Sequence, residues 1–168
     1  MMITFTLFLI LIFSIINQPR EWKSAFPTEC ETYASSCARL AFRNQYRTNK
    51  IQNAYPLTFR NVTGLDEKID SYMNSKYDGW IVKYDTANSS HLVYSVSNAI
   101  GVMNDVAVKI DSCQDVWSTT SVSIQSQLRL GLKDYGSNYE IIEGIIAHLA
   151  KDPNITENQQ NFLYCKGK

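Results

Sequence analysis

The stretch LVYSVSNAIGVMNDVAVKIDSCQDVW, Leu92–Trp117, decides the fold. Its apolar residues Leu92, Val96, Ala99, Ile100, Met103, Val106, Ala107, Ile110, Cys113 and Trp117 recur at steps of three and four. At about 100° per residue they fall in one stripe, with Asn98, Gly101, Asp105 and Lys109 opposite. The spacing predicts an amphipathic helix with one buried face.

Upstream, a second helical pattern starts near Thr63 or Gly64 and carries Leu65, Ile69, Tyr72, Met73, Tyr77, Trp80, Ile81 and Tyr84, with Asp85–Ser90 as the turn that follows. Further upstream, Thr28 and Glu31 have capping-box spacing ahead of a stripe of Cys30, Tyr33, Cys37, Leu40, Ala41 and Ile51 that ends before Pro56. Opposite that stripe stands a basic row, Arg39, Arg43, Arg47 and Lys50. Its ordinary reading is a solvated helix face; its sharper reading is a site for an anionic partner.

Downstream, Ser137 and Glu140 make a capping box ahead of Ile141, Ile142, Ile145, Ile146 and Leu149, a run ended by Asp152-Pro153. Thr156 and Gln159 repeat the device before Phe162, Leu163 and Cys165. Between these helices, Val122, Ile124, Leu128, Leu130 and Leu132 alternate with Ser123, Gln125, Gln127, Arg129 and Gly131, the period of a half-buried strand. A single strand lacks a partner, so residues 122–132 are assigned to helix, with strand as the alternative. Together these patterns predict an all-α, disulfide-stabilised bundle of four to six helices, one domain over residues 26–168.

Met1–Ile16 is apolar apart from Thr4, Thr6 and Ser14, and the run stops at Asn17-Gln18-Pro19-Arg20. A membrane-spanning helix needs about 20 apolar residues, so residues 1–18 read as a secretory signal peptide cleaved somewhere from 18 to 25, leaving no stable membrane span. The basic n-region of such a signal is missing, since Arg20 and Lys23 follow the apolar run. Three tripeptides, Asn61-Val62-Thr63, Asn88-Ser89-Ser90 and Asn154-Ile155-Thr156, are acceptors for N-linked sugar. All three fall where the periodicity places helix boundaries.

Four cysteines, Cys30, Cys37, Cys113 and Cys165, suit an oxidising compartment, and their spacing contains no Cys-x2-Cys pair for zinc. Within one regular helix Cys30 and Cys37 would stand about 10 Å apart, too far to bridge. That geometry favours long-range bridges. The alternative starts the helix later and pairs Cys30 with Cys37, leaving Cys113 with Cys165.

The 168 residues balance 16 basic against 16 acidic side chains, which excludes the basic excess that nucleic-acid binding needs. The sequence holds no nucleophile elbow, dinucleotide or phosphate loop, or His-Glu-x-x-His. His91 and His148 are the only side chains ordinarily titrating near neutrality, and both read as structural. The carboxylate pairs Asp66/Asp70 and Asp111/Asp115 read as solvated helix residues. No catalytic residue, metal site or cofactor is assigned. The expected function is a secreted, extracellular, non-enzymatic glycoprotein that binds an unknown extracellular protein. The alternative is a carrier of a small apolar ligand in the bundle interior, lined by Tyr77, Trp80, Tyr84, Met103 and Trp117.

Overall fold

A computed structural model describes residues 6–8, 11, 25–30, 36–41, 56–60, 62–77, 80–86, 89–97, 103–113, 119–129 and 134–152. The deciding stretch is not a helix. It forms two antiparallel strands, β4 (Ser89–Ser97) and β5 (Met103–Ser112), joined through residues 98–102. Leu92, Val96, Val106 and Ile110 satisfy both periods, because they lie an even number of residues apart, whereas Ala107 falls on the opposite sheet face. Val106, Val108 and Ile110 continue the alternation strictly. The β-branched content of VAVKI favours the pleated state, where such side chains pack without losing rotamer freedom against a preceding turn.

The remaining strands are β1 (Cys37–Leu40), β2 (Leu57–Arg60), β3 (Trp80–Thr86) and β6 (Thr119–Leu128); the helices are α1 (Leu65–Lys76) and α2 (Ser137–Leu149). All described strand pairs are antiparallel, in the order β1-β6-β5-β4-β3. β2 also pairs with β6, so β1 and β2 share that flank: β1 lies against Ile124–Gln127 and β2 against Thr119–Val122. The chain is therefore α+β, dominated by one antiparallel sheet, and the all-α bundle is overturned. The alternating run at 122–132 is strand through Leu128, and its partners are β5, β1 and β2. The helix placed from Thr28 to Ile51 is replaced at its centre by β1, and the helix from Thr63 to Tyr84 stops at Lys76 before β3. The expected helix after Thr156 lies outside the described residues.

The two helices that survive cover one face of the sheet. Leu65, Ile69 and Met73 of α1 and Ile141, Ile142, Ile145 and Leu149 of α2 join one buried cluster with the sheet. Rows such as Leu40, Ile124, Val108 and Leu92, in register across four strands, supply its other half. At about 25 cal/mol per Å² of apolar surface removed from water, this layer is the main source of stability. The α1–α2 contact is tight at Gly144, where a Cβ would meet the Tyr72 hydroxyl.

Helix α2 begins differently from the capping-box expectation. Its N-cap is Gly136 at φ 94°, a left-handed conformation that glycine adopts without strain, and Ser137 is the first helical residue. Asp134 takes the capping role: its carboxylate accepts the backbone N–H groups of Gly136 at 3.0 Å and Asn138 at 3.1 Å.

Candidate functional site

The second face of the sheet is polar, yet largely closed to solvent. Because side chains alternate, the residues opposite the helix layer are Arg39 on β1, Ser121, Ser123, Gln125 and Gln127 on β6, Asp105 and Lys109 on β5, and His91 and Ser95 on β4. Asp105, Gln125 and Gln127 are fully buried, and Arg39 and Ser95 nearly so. All residues of β6 are buried, so this strand is covered on both sides.

Part of the cover is a strap, residues 26–30. Phe26 packs on Val93 and Ala107, two small apolar residues of this face. Its ring meets His91 edge-on at 6.4 Å, and the Arg39 guanidinium lies 5.0 Å from its centroid in a cation–π contact. Arg39 Nη1 donates to the Pro27 carbonyl at 2.7 Å and to Gln125 Oε1. Gln125 Nε2 donates in turn to the Glu29 carbonyl and to Gln127 Oε1, each at 3.1 Å. The Cys30–Cys37 disulfide, Cα–Cα 6.0 Å, ties the end of the strap to the first residue of β1.

Beside the strap, Arg129 clasps Asp105. Its Nε donates to both carboxylate oxygens at 3.0 Å and its Nη2 donates to Oδ1 at 2.7 Å. Ser95 Oγ donates to the same carboxylate at 3.0 Å and accepts from Arg129 Nη2. The paired side chains are only 5% and 1% exposed, so each charge depends on the other for its solvation.

Burial shapes the titration of this face. It brings the Arg39 guanidinium down to about 10, against the opposing pull of Glu29, and the group stays charged at neutral pH. It also lowers the His91 imidazole below its ordinary value, helped by repulsion from Lys109, which keeps that ring neutral. On the helix side, burial and the carboxylates of Asp70 and Asp66 hold the Tyr94 phenol well above its ordinary value.

The residues expected to act together are dispersed. Of the basic row, Arg39 is a buried strand residue facing the strap, which removes the solvated-helix reading; Arg43, Arg47 and Lys50 lie outside the described residues. Of the aromatic lining, Tyr77 packs against the helix-side cluster, while Trp80 and Tyr84 sit on β3 at positions paired with Ser95 and His91. Met103 opens β5 opposite Ser97, and Trp117 is outside the described residues. These positions share no helix stripe, so the bundle-interior site loses its geometry.

Cys30 and Cys37 bridge each other, against the long-range preference, because Cys37 opens a strand and the helical separation never arises. Cys113 is disulfide-bonded as well, and Cys165 lies outside the described residues. Asn61, Asn88 and Asn154 are also outside them, while Thr63 of the first acceptor is exposed and Ser90 of the second is a half-buried residue within β4. His148 stacks on Tyr72 with ring centroids 4.9 Å apart, on the outside of the helix layer. Asp66 and Asp70 do share α1, whereas Asp111 belongs to β5 and pairs with Lys109 at 2.8 Å.

No sequence pattern joins the polar network, because Arg39, Asp105 and the Gln125–Arg129 segment lie far apart in sequence and meet only through strand register. The alternation of β6 was the one available signal. Among the described residues, no group of three or more His, Cys, Asp or Glu is placed to hold a metal ion. No family model matches the chain, and no curated protein or solved structure matches it significantly.

Proposed function

We propose that this protein is a secreted, non-enzymatic α+β domain that works by presenting a rigid surface to an extracellular partner. The observation that carries the reading is the strapped polar face. Its charged and amide groups are bonded to one another and to the strap backbone, and a disulfide fixes the strap in place. Such a face spends its hydrogen-bonding capacity on holding a shape. The buried disulfide suits an oxidising compartment. The helical residues Leu7, Phe8 and Leu11 are each about 60% exposed, apolar side chains that join no core, which fits a leader that is discarded.

Native mass spectrometry of the protein secreted from a eukaryotic host, repeated after denaturation and after reduction, tests this reading. The expected species lacks the first 18 to 25 residues, and its native mass is a whole number of chains with their sugars and disulfides. An intact Met1 on the secreted chain overturns the secretory part. A small-molecule mass lost on denaturation overturns the interaction reading in favour of a carrier.

A further inference from the structure

The two flanks of the sheet are built differently. On one side the flank is broken into two four-residue strands, β1 and β2, with β1 tied down by the Cys30–Cys37 bridge. On the other side stands β3, seven residues of Trp-Ile-Val-Lys-Tyr-Asp-Thr without proline, paired among the described residues with β4 alone. A short or pinned flank resists the addition of another strand; a long continuous one invites it.

We infer that β3 is a dimerisation edge, at which two copies of the chain pair their β3 strands antiparallel about a two-fold axis through Tyr84. This names a partner for the interaction module proposed above and rests on that reading. Backbone pairing and the order of charged residues along the strand agree on the register. Only two residues separate Thr86 from Ser89, which makes these a hydrogen-bonded pair; the amides of Thr86, Tyr84 and Val82 then engage β4, and those of Asp85, Lys83 and Ile81 face the open edge. An antiparallel partner must match open amides with open amides. Centring the axis on Lys83 satisfies this but sets Lys83 against Lys83, and centring it on Val82 sets Lys83 against Ile81. Centring it on Tyr84 sets each Lys83 opposite the Asp85 of the other copy, twice over by symmetry. The two charges that repel an arbitrary strand therefore select one register of one partner.

The test is sedimentation equilibrium of the secreted chain and its Asn88→Gln variant, since sugar two residues beyond β3 would crowd the pairing. The expected result is a monomer–dimer equilibrium. Lys83→Asp alone and Asp85→Lys alone should each weaken it about tenfold or more, by replacing two attractive pairs with two repulsive ones. A mixture of these two variants should form heterodimers as tightly as the native pair, because every facing pair is then opposite in charge. Unchanged unfolding midpoints in urea confirm that both variants fold. A chain that stays monomeric without the Asn88 sugar overturns the inference, and so does a dimer indifferent to both reversals. A monomer with correct cleavage and no bound ligand defeats the dimer while leaving the interaction module standing; an intact Met1 defeats the module independently.

Discussion

Asp105 and Arg129 illustrate how a buried charge pair constrains substitution. Asp105→Asn removes the negative charge but leaves the guanidinium enclosed, and the expected cost is about 3–5 kcal/mol of unfolding free energy. Replacing both residues by apolar side chains of similar volume should cost much less, since no charge is then stranded. Urea unfolding of the single and double variants checks both outcomes; equal losses would show that the pair acts by packing rather than by charge. His91 makes a prediction with a sign. Its folded-state pKa lies below the ordinary 6.5, so in that range the unfolded chain binds more protons than the folded one. Its contribution to stability is complete above pH 6.5 and is lost as the pH falls through the folded value. The loss between pH 7 and pH 5 should therefore be smaller in His91→Phe than in the native chain, and identical losses would contradict it.

At the scale of elements, the helix–helix contact depends on a missing methyl group. Gly144→Ala should cost about 1–3 kcal/mol, because the added Cβ meets the Tyr72 hydroxyl and the stacked His148 limits where that ring can go. Tyr72→Phe in the same background should recover part of the loss, measured by thermal melting. The strap supplies a second case. Cys30→Ser with Cys37→Ser frees it from β1, and the expected result is a His91 pKa that moves up toward the ordinary value as Phe26 leaves the ring. Two-dimensional NMR titration reads this directly, and an unmoved pKa would show that the strap holds without its bridge.

Elements also explain what was legible. Helices α1 and α2 are readable because adjacent apolar pairs, Tyr72-Met73 in one and Ile141-Ile142 and Ile145-Ile146 in the other, recur at helical spacing and break alternation. The helical reading of Leu92–Trp117 fails because Leu92, Val96, Val106 and Ile110 lie an even number of residues apart, which suits a strand face equally, and Tyr94 and Val108 fill in the alternation between them. With that stretch taken as helix, the plain alternation of β6 has no strand to pair with; as β5 it supplies one. The strapped polar face escaped for another reason: polar residues on a strand read as solvent-facing, and only tertiary cover makes Gln125 and Asp105 internal.

For the molecule as a whole, β6 is the common partner that joins near and distant chain. It pairs with β5, its neighbour in sequence, and also with β1 and β2, from the opposite end of the domain. Strand pairings of short sequence separation close cheaply, whereas Cys37 against Gln127 brings together residues 90 apart. Pulsed hydrogen exchange during refolding should show amides of β4 and β5 protected before those of β1; simultaneous protection would refute that order. Under the secreted reading proposed above, the chain would enter an oxidising compartment N-terminus first and present β1 long before β6 exists to receive it. The Cys30–Cys37 bridge, which closes over only seven residues, can form in that interval and keeps the strap attached to the strand while both wait for the rest of the sheet.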